Sequence, residues 1–173
     1  MKPGEVPLTS PIEEKIAWAQ RLHTNFGKRV LEDRIVVDLS LKLRNAIEAS
    51  HDEMRGSGIL EICRECDQKE GGSCCGVGLE NRYDSWLLLI NLLLGVELPT
   101  NRSDPKSCFF LRGTGCLLKA RHVICVNYLC TKITDQINPQ EIAALREKEG
   151  RELDTLFRLH ERVKKVMREW MRS

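Results

Sequence analysis

The sequence CRECDQKEGGSCC (residues 63–75) and the later sequence CFFLRGTGCLLKARHVICVNYLC (residues 108–130) together contain all eight cysteines of the chain. No cysteine occurs in residues 1–62 or 131–173. Thiols that only fill a hydrophobic core would be spread along the chain, so this clustering indicates a metal-binding module. The candidate metal ligands are Cys63, Cys66, Cys74, Cys75, Cys108, Cys116, Cys125 and Cys130.

The spacing of the early cysteines is the strongest local signal. The two residues between Cys63 and Cys66 let both sulfurs reach one metal from a turn whose N–H groups point at the sulfurs. The Cα atoms of Cys74 and Cys75 are about 3.8 Å apart, but their side chains diverge in a helix or a strand. We therefore expect one of the pair to complete a site with Cys63 and Cys66, and the other to reach the later cysteines. Eight thiols can form two four-thiolate sites, or one site with spare thiols or a disulfide.

The type of metal is less strongly specified by the spacing. Four-thiolate zinc sites usually combine two short Cys-x₂₋₄-Cys pairs, and the only candidate for a second pair is Cys125-x₄-Cys130. An iron–sulfur cluster accepts more irregular spacing, because each iron takes one thiolate at a different corner. The pattern favours an iron–sulfur cluster, with 4Fe-4S as the candidate type, and leaves zinc open. His122 is a weaker candidate, better explained as a surface residue or as a neighbour of the ligands.

Glycines and basic residues accompany the cysteines. Glycine permits positive-φ turns in which backbone N–H groups face a sulfur. Nearby cations would offset the charge of thiolates. The glycines are Gly71, Gly72, Gly76, Gly78, Gly113 and Gly115, and the basic residues are Arg64, Lys69, Arg112, Lys119 and Arg121.

The rest of the chain predicts long helices, so the expected fold is mainly α, with a small irregular cysteine-rich metal-binding module packed among them. One helix should begin with a Ser10-Pro11 capping box and end near Asn25, before Gly27. A second should cover about residues 28–54, with an apolar face that includes Leu31, Ile35, Leu39 and Leu43 and a stop at 56–58.

Two further helices are predicted after the first cysteines. A helix over residues 83–95 is apolar on nearly all sides and should be buried. A last helix should begin at Asn138-Pro139 and run to about Met171, with an apolar seam from Leu153 to Trp170. We divide the chain into N-terminal helices (1–58), the cysteine module (59–135) and a C-terminal helix (136–173) that packs on the N-terminal helices in one compact domain.

Composition and charge exclude some functions. The 173 residues are 42% hydrophobic and carry a net charge of +2, and no segment has the basic excess of a nucleic-acid binder. The N-terminal sequence MKPGEVPLTSPIEEK lacks the apolar core of a signal peptide. The longest apolar run, 86–94, is short of the ~20 residues of a membrane span. We expect a cytoplasmic protein with reduced thiols and neither a membrane nor a nucleic-acid partner.

Taken in order, these cysteine motifs resemble the YkgJ-type cysteine-cluster family, which is described as zinc- or iron-chelating. The similar segments cover roughly residues 60–132. They are Cys63-Arg-Glu-Cys66, Cys74-Cys75, Cys108-Phe109-Phe110-Leu111, Gly115-Cys116, Arg121, and Cys125-Val-Asn-Tyr128-Leu-Cys130. The chain departs from the family in its seven-residue gap after Cys66 and in having His122 where proline commonly follows the arginine. The resemblance implies metal chelation by the cysteines.

The sequence thus predicts a metal-binding protein in which an iron–sulfur cluster or zinc has an electron-transfer or structural role. One alternative is a metal-dependent enzyme of protein modification, since a similar cysteine cluster occurs in flagellin lysine methylases. Another is an interaction protein with a purely structural zinc, which pairs with a protein partner or with a second copy through the C-terminal helix. Packing of that helix on the chain's own second helix is the favoured interpretation of its seam.

Overall fold

A computed structural model describes the backbone of residues 6–69 and 74–172 and the side chains of residues 6–66 and 74–170. Over these residues the chain is mainly α-helical, as the sequence predicts. The helices are α1 (Ile12–Val30), α2 (Arg34–Gly56), α3 (Ile59–Lys69), α4 (Ser85–Leu93), α5 (Val123–Asn127), α6 (Thr131–Gln136) and α7 (Pro139–Arg172), with a 3₁₀ turn at Leu79–Arg82. Two short strands, β1 (Leu111–Arg112) and β2 (Gly115–Cys116), pair antiparallel.

The ends of α1 differ from the prediction. Pro11 is the N-cap residue and no side chain caps the helix, so the predicted Ser10 capping box is wrong. The helix also continues through Gly27 to Val30. A Cβ atom at Gly27 would lie 2.9 Å from Cδ2 of His23. Glycine at this position therefore lets the imidazole pack against the helix backbone, and it does not end the helix.

The start of α2 is set by Asp33. Its Oδ1 accepts hydrogen bonds from the backbone N–H groups of Ile35 (3.1 Å) and Val36 (3.0 Å). Because the helix begins after this cap and not at Lys28, the predicted apolar face is only partly right. Leu39 and Leu43 are buried, whereas Leu31 and Ile35 are exposed. The predicted stop is confirmed: α2 ends at Gly56, and Gly58 has a φ of 79°.

The long C-terminal helix α7 packs mainly on α2, as expected from its seam. It begins at Pro139, where Oδ1 of Asn138 accepts a hydrogen bond from the N–H of Gln140 (2.8 Å), and it passes through Gly150 without a break. Val163 and Met167 are fully buried. The seam therefore contributes to the core of the chain itself.

Helix α4 is the scaffold on which the later cysteines are assembled. It is shorter than predicted, and Asp84 caps it by accepting a hydrogen bond from the N–H of Leu87 (2.7 Å). All its residues except Leu92 are buried, and it packs mainly on α1. A second, smaller apolar cluster joins α3, α6 and the start of α7 through Ile59, Ile133, Ile137 and Leu145. None of the helices in the described residues has the length and apolar character needed to cross a membrane.

Candidate metal centre

The early cysteines lie on a helix and not in a tight turn. Cys63 and Cys66 are both in α3, three residues apart, which places them on one face of that helix. The predicted turn with N–H groups pointing at the sulfurs is therefore wrong for this pair. Cys74 and Cys75 follow in an irregular bend, and their thiols are hydrogen-bonded to each other and do not diverge. All eight cysteines have free thiols.

A buried carboxylate joins the bend at Cys75 to the segment around Cys108. Oε2 of Glu80, which is 3% exposed, accepts hydrogen bonds from the N–H groups of Gly78 (3.0 Å) and Phe109 (3.4 Å). Oε1 pairs with Arg102, whose guanidinium also donates to the carbonyl of Ser107. The N–H of Cys108 donates to the carbonyl of Cys75 (2.7 Å). Glu80 thus holds the backbone on both sides of Cys108.

A buried amide on α4 fixes the segment between Cys116 and Cys125. Oδ1 of Asn91 accepts hydrogen bonds from the N–H groups of Lys119 (2.9 Å) and Ala120 (3.1 Å). Its Nδ2 donates to the carbonyl of Ala120 (2.9 Å). These contacts satisfy backbone groups that would otherwise be buried without partners. They also determine where the chain enters α5.

A tyrosine in front of α4 positions the thiol of Cys125. The hydroxyl of Tyr83 accepts a hydrogen bond from the N–H of His122 (3.1 Å) and donates to Sγ of Cys125 (3.5 Å). Nδ1 of His122 accepts from the N–H of Ile124 (3.2 Å), so this histidine caps α5. The capping role agrees with the interpretation that His122 lies beside the ligands.

Electrostatic interactions between the thiols assign the cysteines to two groups of four that share Cys75 as a common neighbour. Cys63 interacts most strongly with Cys130, then with Cys75 and Cys66. Cys74 interacts most strongly with Cys75, then with Cys63 and Cys130. Cys75 acts on Cys108, Cys116 and Cys125. The first group, called group A below, is Cys63, Cys66, Cys74 and Cys130. The second, group B, is Cys75, Cys108, Cys116 and Cys125.

The apolar clusters of the fold support the same division. Cys63 and Cys130 pack against the smaller cluster of α3, α6 and α7. Cys75, Cys108 and Cys125 belong to or pack against the larger core around α4. The two groups meet at Cys74 and Cys75, and Cys75 also acts on Cys63. Each group therefore combines cysteines from both halves of the cysteine-rich sequence.

Burial makes most of these thiols weak acids. It is the largest cause of the raised pKa of Cys63 and of Cys125, and it raises the pKa of the buried Cys108 to about 12. Cys116 keeps an exposed surface, yet the protein around its thiol raises the pKa to about 11. The pKa of Cys74 is also raised, first by its hydrogen bond to Cys75. At neutral pH these groups hold their protons until a metal displaces them.

Two cations lie next to the thiols. Arg121 lowers the pKa of Cys63, Cys116 and Cys125, and so it acts on both groups. Nζ of Lys132 lies 4.0 Å from Sγ of Cys66. Arg121 was expected from the sequence, whereas Lys132 was not. The side chain of Lys69 lies outside the described part of the chain.

Only some of the predicted glycine turns are present. Gly78 and Gly115 have positive φ angles of 95° and 111°, so a residue with a Cβ atom would be strained there. Gly76 and Gly113 do not have positive φ angles. Gly71 and Gly72 lie outside the described residues.

The donor set fits a thiophilic metal, although its side chains are not arranged as a preformed cage. Among the described side chains, no three from His, Cys, Asp or Glu are placed to hold a metal ion as they stand. The thiols within each group nevertheless interact, and soft thiolates suit zinc and iron–sulfur clusters. Metal sites of this kind often become ordered only when the metal binds.

Sequence reasoning found the cysteines but not the side chains that support them. Glu80, Tyr83 and Asn91 each hold groups that lie 22–42 residues away along the chain. One signal was present for Asn91, since a lone amide in an otherwise apolar buried helix needs hydrogen-bond partners. Glu80 and Tyr83 carry no comparable local signal.

The chain was also compared with known proteins. No family model, curated protein or solved structure matches it, and the family resemblance stated above therefore remains a prediction.

Proposed function

We propose that this protein binds metal through its clustered cysteines, as iron–sulfur clusters or zinc, in two four-thiolate sites. One site would use Cys63, Cys66, Cys74 and Cys130, and the other would use Cys75, Cys108, Cys116 and Cys125. The observation that carries the proposal is the division of eight free thiols into groups A and B, which meet at Cys74 and Cys75.

The chain's own residues would prepare the sites in three ways. Glu80 and Asn91 fix the backbone around the cysteines of group B, which limits the ordering that metal binding must supply. Tyr83 donates a hydrogen bond to the sulfur of Cys125. Arg121 and Lys132 offset the negative charge that thiolates acquire when they lose their protons.

Iron–sulfur clusters are the favoured occupants. The candidate ligands come from α3, a bend, a loop, β2, α5 and the residue that precedes α6, and not from the paired short knuckles usual in structural zinc sites. Such a cluster would supply one-electron transfer, whereas zinc would supply a structural cross-link. The proposed location is the cytoplasm, where cysteines remain reduced.

Metal analysis of protein purified without oxygen tests the proposal. Iron and acid-labile sulfide with visible absorbance would support clusters, and colourless protein with stoichiometric zinc would replace them with zinc. Folded protein that contains no metal and takes up neither zinc nor a reconstituted cluster would refute both.

Paired variants test the division into two sites. Cys130→Ser and Cys125→Ser should each remove about half of the bound metal, because each variant breaks one four-thiolate group. Thr131→Ser is the matched control and should retain all of it. Loss of all metal in either variant would contradict two four-thiolate sites of which each can bind metal without the other.

A further inference from the structure

Two buried acidic residues on α7 interact with Arg121, the cation that also acts on the cysteines, without being candidate ligands. Glu149 is 2% exposed and Glu152 is fully buried. Within the described residues neither carboxylate oxygen of Glu152 has a hydrogen-bond partner. An ionised carboxylate without partners is costly to bury, so this side chain needs either a compensating charge or a proton.

The groups around Glu152 come from three elements. On α2, the hydroxyl of Ser50 donates to the carbonyl of Ala46 (3.1 Å), although it is near enough to lower the pKa of Glu152. On α7, Oε2 of Glu149 accepts a hydrogen bond from Arg146 (2.7 Å). Burial is the largest cause of the raised pKa of both acids.

The third element is the loop before α5, which supplies Arg121. This guanidinium lowers the pKa of Glu152 and Glu149, and its Nε is buried without a hydrogen-bond partner within the described residues. It also lowers the pKa of His51 on α2. Because the same cation acts on thiols of groups A and B, it is shared between the cysteines and the buried acids.

We propose that Glu152 is a proton-binding site that takes up a proton when the cysteines bind metal. The inference rests on the proposed metal-binding function. Before binding, the thiols with raised pKa values are neutral, and the carboxylate of Glu152 compensates for the positive charge of Arg121. A Zn²⁺ ion with four thiolates adds about two negative charges near the same guanidinium, which then no longer compensates for the carboxylate.

The proton balance makes the proposal measurable. Four thiols that bind one Zn²⁺ release about four protons when all were protonated. If the Glu152 carboxylate takes one of them and becomes a carboxylic acid, the solution receives about three. The metal and the sulfurs are neither oxidised nor reduced in this step.

Proton release during zinc binding tests the proposal directly. Zinc is titrated into the metal-free protein without oxygen, in weak buffer at pH 7, and released protons are counted against bound zinc. Glu152→Gln should release about one proton more per chain than the unaltered protein, because the acceptor is absent. Glu147→Gln, an exposed position on the same helix that pairs with Arg151, is the control and should release the same number as the unaltered protein. Equal release from Glu152→Gln and the unaltered protein would overturn the proposal.

An infrared measurement on the unaltered protein keeps the test independent of how the variant folds. Zinc binding should produce a difference band of a protonated carboxyl group, and ¹³C labelling of glutamate should shift that band. Zinc binding without the band would overturn the proposal. Failure of all forms to take up either zinc or a reconstituted cluster would instead remove the metal-binding function on which it rests.

Discussion

Replacement of Asn91 by leucine tests how the buried scaffold positions the second half of the cysteines. Asn91 is fully buried in α4, and its amide satisfies the N–H of Lys119 and both backbone groups of Ala120. Leucine has a similar volume but offers no hydrogen bond. Three backbone groups would therefore lose their partners, while the apolar surroundings would accept the new side chain.

The expected cost follows from these three groups. A buried polar group left without its partner costs about 1–3 kcal/mol, so three groups cost roughly 3–9 kcal/mol. Because the Lys119 N–H is only partly buried, the loss should lie below the upper end of that range, at about 5–7 kcal/mol. Burial of leucine returns about 1.5–3 kcal/mol. The net loss should be about 2–5 kcal/mol, a large share of the roughly 5–15 kcal/mol that stabilises a typical domain.

Urea denaturation of the metal-free protein, followed by circular dichroism, measures this difference. With an m-value of about 1–3 kcal/mol per molar urea, the midpoint should fall by roughly 1 M or more. Asn45→Leu, at an exposed position of α2, is the matched control and should change the free energy of unfolding by less than about 0.5 kcal/mol. If Asn91→Leu proves as stable as this control, the buried amide does not hold the loop as described.

Two further predictions follow from titratable groups. Zinc affinity should rise by at least about a hundredfold per pH unit between pH 6 and 8, because the thiols of Cys108 and Cys116, with pKa values of about 12 and 11, must lose protons to bind. Competition with a chelator measures this affinity, and a pH-independent affinity would contradict the prediction. Asp33→Ala should lower the free energy of unfolding by about 2–4 kcal/mol at pH 7, since it removes both the α2 cap and the ion pair with Arg162. The control Asp38→Ala, at an exposed position of α2, should lower it by under about 1 kcal/mol. The Asp33–Arg162 hydrogen bond lowers the pKa of Asp33, so its stabilisation should be present above pH 3.8 and lost as the pH falls further; an equal effect of the variant at pH 7 and pH 2 would contradict this account.

The sequence was informative where structure depends on neighbours along the chain. The start of α7 at Asn138-Pro139, the stop after Gly56 and the burial of α4 all follow from local capping and periodicity. The predicted start of α2 was wrong because Leu31 and Ile35 continue the four-residue spacing of Leu39 and Leu43. In the structure, the Asp33 cap places Leu31 outside the helix, and Ile35 lies within it but is exposed. Periodicity alone does not distinguish these apolar residues from buried ones.

The candidate site was less accessible to such reasoning, because its assembly depends on distant partners. A Cys-x-x-Cys pair is compatible with a turn and with a helix, and only the packing of α3 on α2 and α6 places Cys63 and Cys66 in a helix. The roles of Glu80 and Asn91 depend on loops that lie more than 20 residues away. Spacing along the chain does not contain that information.

The order of the cysteines along the chain differs from their grouping in space, and this has a consequence for assembly. Cys130, the last in sequence, interacts with Cys63 at the start of the module, while Cys75 interacts with the later cysteines around α4. Neither 63–75 nor 108–130 alone therefore contains a complete group of four. Because Cys74 and Cys75 are adjacent and hydrogen-bonded to each other but fall in different groups, movement of one thiol toward a metal breaks its hydrogen bond with the other. The two sites should accordingly be coupled through this pair, and metal binding by group A should change the affinity of group B.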